Sequence, residues 1–231
     1  MINPLGHKTC RCNGKAFKYS LVVLMLMFID SGVGSQERPD ALASYREGSY
    51  EDAVEITLRE IEVSPRSRDS YSVLCWSLIE LRRYDDALAR AREAYGFAPN
   101  DPRIVEAVGE AHYYLGNNLD ALSFFERYSV IADDGDRIDR IYYFMGEIFI
   151  RLGEYNHADI AFSTALYHSP NVSMWWGRLG YARELAQDYP FALVAYERAL
   201  SLNPNLTDAN RGRQRVQQLI EELSRQSSVE G

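Results

Sequence analysis

Alanines at 53, 87, 121, 158 and 192 stand 34, 34, 37 and 34 residues apart. Prolines keep the same interval at Pro65, Pro99, Pro170 and Pro204, with Asp133 where the missing one would fall. One three-residue insertion within 132–138 (ADDGDRI) accounts for both irregular intervals. A period of this length marks a supersecondary unit written several times. Such a unit cannot bury its apolar face alone, so it is stable only when stacked on its copies.

Each unit reads as two helices. Residues 70–81 are apolar at Tyr71, Leu74, Cys75 and Leu78, the i, i+3, i+4, i+7 spacing of one helix face. Arg82, Arg83 and Tyr84 make a turn, and residues 85–96 form a second amphipathic run. Pro99 closes the unit, because proline lacks the donor a helix interior needs. The fourth unit is cleaner, with Tyr142, Met145, Gly146 and Phe149 on its first helix and Ala158, Phe162 and Ala165 on its second. In the fifth, Trp176, Leu179 and Gly180 repeat that pattern as core, Trp175 falls off the register, and Pro190 opens the second helix.

These residues resemble the tetratricopeptide repeat (TPR) family, in an exported bacterial form. The large residue of the first helix matches Tyr71, Val105, Tyr142 and Trp176. The Leu-Gly pair falls on Leu74-Cys75, Val108-Gly109, Met145-Gly146 and Leu179-Gly180. The turn tyrosine is Tyr50, Tyr84, Tyr155 and Tyr189, replaced by Asn118 in the third unit. The resemblance implies an all-α, right-handed superhelical α-solenoid. Its units are a degenerate first repeat at 36–67, then repeats at 68–101, 102–138 (with the insertion), 139–172 and 173–206. Asp40 and Glu60 depart from the pattern in the first unit, whose opening helix should be short. Tyr128 stands where the third unit should be small, so the joint between units three and four is expected to be wider or turned differently.

Val216, Leu219, Ile220 and Leu223 make a single apolar stripe, so 207–224 reads as a capping helix and 225–231 as a disordered tail. At the other end, four basic residues precede the unbroken run LVVLMLMFI at 21–29, followed by SGVGS. That is the layout of a secretory signal peptide over 1–35, cleaved before Gln36. Nine apolar residues are too few to span a bilayer as a helix. The expected location is a bacterial periplasm or cell envelope, with no membrane span after the leader is removed. The formal net charge is −8; losing residues 1–35 removes four bases and one acid, leaving 21 Lys+Arg against 32 Asp+Glu, about −11. No basic stripe with interleaved aromatics appears, so nucleic acid is not an expected partner.

The sequence offers no catalytic constellation. His112, His157 and His168 sit in no metal or nucleophile motif, and the leader's Cys10 and Cys12 give too few zinc ligands. Neither cofactor nor metal is expected, nor enzymatic activity. The acidic cluster at 132–139 lacks EF-hand spacing and reads as a loop whose Asp136 or Asp139 caps the next helix.

With the repeat as ruler, the first helices should line a concave groove. Its expected partner-binding residues are Trp76, Glu106, Glu110, Tyr113, Arg140, Tyr143, Glu147, Arg151, Arg178 and Tyr181, with Ser72, Ile79, Arg103, Tyr114 and Gly177 beside them. Exposed aromatics and arginines are what binding hot spots favour. Family members that grip a terminal carboxylate use Lys and Asn at positions held here by Trp76, Glu110, Glu147 and Tyr181, which disfavours that ligand. Glu106, Glu110 and Glu147 suit a basic segment. The expected function is a non-enzymatic protein–protein scaffold or assembly adaptor. The alternatives are a small ligand, sugar or lipid, in the groove or an inter-repeat pocket, or a self-assembling structural subunit.

Overall fold

Five residues in left-handed or near-left-handed backbone conformation mark the turns inside the units. Gly48, Arg82, Gly116, Gly153 and Gln187 have φ of 82°, 57°, 77°, 78° and 62°. They recur at the alanine spacing, so every unit bends at the same register. The computed structural model describes residues 40–132 and 135–230. The proposed leader, Asp133 and Asp134 lie outside the described residues.

Among the described residues the chain forms eleven helices and no strand. The first helices of the units are α1 (Ala41–Arg46), α3 (Arg68–Glu80), α5 (Pro102–Tyr114), α7 (Ile138–Leu152) and α9 (Ser173–Leu185). The second helices are α2 (Tyr50–Val63), α4 (Tyr84–Phe97), α6 (Asn118–Ile131), α8 (Tyr155–His168) and α10 (Tyr189–Leu202). The last helix, α11 (Thr207–Glu230), packs on α10 and α9. Each helix packs on its neighbours in chain order and each unit leans on the next, which is an α-solenoid.

Local chemistry fixes the helix starts. Ser67 accepts from the Ser70 amide, and Asp101 accepts from the Arg103 amide with Pro102 at the first helical position. The departures of the first unit have local reasons. Asp40 is the N-cap of the six-residue α1, accepting from the Leu42 and Ala43 amides. Glu60 accepts the Ser70 hydroxyl at 2.6 Å, tying α2 to α3.

The two helices of a unit touch where small faces large. A Cβ added at Gly109, Gly146 or Gly180 would come 2.7 Å from the ring of Phe125, Phe162 or Tyr196. In the second unit Cys75 replaces the glycine and Ala91 replaces the ring, and both are fully buried. The summed volume at the crossing is roughly kept, as close packing requires.

The joint between units three and four is filled rather than open. Tyr128, in the small-residue slot, is buried with Phe125, Ile141 and Phe144 in one cluster, and Phe125 stacks on Phe144 at 5.5 Å. The insertion supplies the slack for that volume, with Gly135 beside the Tyr128 hydroxyl. Asp139 lies in the first turn of α7, where it accepts from the Arg140 amide at 2.7 Å and from the Ser169 hydroxyl at 2.6 Å. Arg137 holds the N-cap position.

The tail reading is corrected. Residues 225–230 continue α11 to Glu230, six residues beyond the expected end. The Arg225–Glu221 pair and the Ser224 hydroxyl bonded to the Ile220 carbonyl carry the helix past its apolar stripe. Once a helix is nucleated by packing, polar residues of good propensity propagate it.

Candidate partner-binding groove

The first helices place their aromatic and arginine side chains on a common face, and these residues contact each other from unit to unit. Trp76 of α3 is half-buried beside Tyr45, with the Arg137 guanidinium 5.7 Å from its ring centre. Tyr113 of α5 is buried, packs on Phe144, and lies under the Arg151 guanidinium at 4.2 Å. Arg151 itself is exposed and donates to the Tyr113 carbonyl and the Asn118 side chain. Tyr143 of α7 is half-buried and stacks on Trp175 at 5.2 Å. Burial and the nearby Glu147 carboxylate push its hydroxyl pKa up, so it stays protonated. Arg178 of α9 covers the Tyr181 ring at 5.1 Å.

The glutamates are not available to a partner, and this corrects their expected role. Glu106 and Glu110 are buried at 0% and 1% exposure, in ion-pair contact with Arg137 and Arg140. Glu147 is gripped by Arg178, whose Nε and Nη2 donate to its two oxygens. The basic complement expected from a partner is supplied by the chain itself. Ser72 and Ile79 are also corrected, being buried between helices.

The sequence reading missed Arg137 and Arg215 as part of this face. Tyr114 stacks on Tyr84 at 4.9 Å and is 37% exposed, at the groove surface. Trp175, off the repeat register, covers the joint with unit four by its stack on Tyr143. Trp176 is half-buried between two clusters, its Nε1 donating to the Pro170 carbonyl at 2.8 Å. A legible signal for the arginines did exist. Glu147 to Arg178 and Glu184 to Arg215 both span 31 residues, three short of the period, and Glu110 to Arg140 spans 30.

Among the described residues no group of His, Cys, Asp and Glu is arranged to hold a metal ion. His112 is buried between Phe124, Asn117 and Arg92, and burial lowers its pKa, so it is neutral. Among the same residues no helix is long and apolar enough to cross a membrane.

Tetratricopeptide repeat families are matched over residues 40–142 and again over 139–172. The chain belongs to the tetratricopeptide repeat family. A TPR repeat-containing protein of Methanocaldococcus jannaschii is 25% identical over 161 residues, covering 69% of this chain and 28% of that protein. The chain thus spans little more than a quarter of that relative's length. PilF of Pseudomonas aeruginosa superposes with a TM-score of 0.70 at 15% identity, covering 81% of this chain and 84% of that one. YrrB, described as a TPR protein with an unusual peptide-binding site, superposes with a TM-score of 0.62 at 14% identity, covering 75% and 88%. At these identities the likeness establishes the shared fold. That TPR fold is one used for protein–protein interaction, and its family members are generally non-catalytic.

Proposed function

We infer that this chain is a non-enzymatic scaffold that holds a partner segment along the face of its first helices. The supporting observation is the row of aromatic and arginine side chains at Trp76, Tyr114, Arg151 and Tyr181, held in place by ring stacking, guanidinium–ring contacts and hydrogen bonds. Rigid aromatic anchors with fixed guanidinium groups lose little side-chain freedom on binding, which favours affinity. The leader-like segment supports an exported, envelope-associated role; an N-terminal peptide of the exported protein beginning near Gln36 would bear this out, and one beginning at Met1 would overturn it.

The groove is tested by combining Tyr114→Ala with Arg151→Glu, two side chains at its surface. A partner cross-linked to the wild type in its native cell should be captured at least tenfold less well by the double variant, with helical circular dichroism unchanged. Undiminished capture of that partner would sink the groove reading.

A further inference from the structure

The groove ends at a cavity of about 290 Å³ between α9 and α11. Arg178, Arg211 and Arg215 line it together with Tyr181 and Met174; Asp208 is the acid in its wall. Two of these arginines are already oriented by glutamates outside the cavity. Arg178 uses Nε and Nη2 on Glu147, and Arg215 uses Nε and Nη2 on Glu184, the latter at 2.8 and 2.9 Å. Both contacts take the same edge of the guanidinium and leave Nη1 without a protein partner among the described residues. Arg211 is exposed and makes neither an ion pair nor a hydrogen bond among them.

We propose that this cavity binds side-chain carboxylates of an acidic partner segment. The proposal rests on the groove reading and gives the partner its polarity at this end. Guanidinium and carboxylate form short, charge-assisted bonds of fixed geometry. Here two of the donors are pre-oriented, so binding orders few new side chains. A basic segment would meet three guanidinium groups and one carboxylate. Since the whole chain carries a net charge of −8, attraction of an acidic segment has to be local. The volume admits one acidic side chain with part of its backbone, the Tyr181 ring and Met174 covering the apolar stem.

The test is calorimetric titration of the full chain with the blocked peptide acetyl-Glu-Glu-Tyr-Glu-Glu-amide. Arg211→Glu should weaken binding at least tenfold while leaving helical circular dichroism unchanged. Arg46→Glu, the same charge change on the exposed last turn of α1, should leave binding within twofold. Equal loss in both variants, or undiminished binding by Arg211→Glu, would overturn the proposal. So would equal binding of the glutamine analogue, no binding of the acidic peptide, or binding confined to a glutamine peptide with a free terminal carboxylate. The groove double variant keeps the two readings apart. Loss of partner capture by Tyr114→Ala/Arg151→Glu alongside failure of the Arg211 test would remove the cavity and leave the groove.

Discussion

Glu106 has both carboxylate oxygens shielded from water, facing Glu110, Arg137, Arg140 and the Tyr128 hydroxyl. Burial, and after it the Glu110 charge, raises its pKa from the ordinary 4.5, with Arg137 and Arg140 opposing the rise. The folded state therefore holds a proton that the unfolded chain has released, and stability falls as pH climbs above about 5. Glu106→Gln should flatten that fall, with a slope difference of up to ~1.4 kcal/mol per pH unit, the effect of one proton. Urea denaturation of both proteins at intervals between pH 5 and 8 measures it; parallel curves would refute it. Glycines 109, 146 and 180 were legible as close-approach points because each stands sixteen residues before its ring partner, Phe125, Phe162 or Tyr196. Glu106 and Glu110 were misplaced for a physical reason. The period tells which way a side chain points, but whether a charge pointing there is open to solvent depends on Arg137, which lies in the one stretch that breaks the period.

Between the paired helices of a unit the chain turns through a left-handed residue. Glycine fills three of the five turns, while Arg82 and Gln187 fill the others at a steric cost of roughly 1–2 kcal/mol each. At Gly48, Gly116 and Gly153 an added Cβ would meet no atom within 4 Å, so the demand is on the backbone alone. Gln187→Gly should then stabilise the protein by about 0.5–1 kcal/mol, after allowing for glycine's greater unfolded freedom. A rise of a few degrees in melting temperature would agree; a fall would show that the Gln187 side chain contributes more than its backbone costs. Helix bounds were legible because apolar spacing agrees with the closing proline in every unit but the third. The length of α11 was not, because beyond Leu223 the apolar stripe stops and only Val229 follows it in the sequence.

From the second unit onward, acids on one unit meet arginines on the next element: Asp69 with Arg103, Glu110 with Arg140, Glu147 with Arg178, and Glu184 with Arg215. The last arginine belongs to α11, which also covers Tyr196 with Ala209 and Val216. Deleting residues 207–230 should expose that cluster and leave Glu184 unpaired. Losing the buried Val216, at about 1.5–3 kcal/mol, and the Ala209 methyl, at about 0.8 kcal/mol, should lower the melting temperature by roughly 5–15 °C. Thermal scans of the truncated protein, with light scattering to follow association through the bared face, would check this; an unchanged transition would contradict it. The solenoid itself was readable from spacing alone, since stacking is what a strict period requires.

The Glu184–Arg215 contact has a bearing on how such chains change length. Arg215 stands three residues beyond the place one period after Arg178, yet α11 presents to unit five a handhold of the same kind that units three to five present to the ones before them. A gene that duplicated the fifth unit ahead of α11 would still deliver a copy of Glu184 to the waiting Arg215. The closing helix is thus a stopper that a lengthened array keeps, with no new ending having to arise.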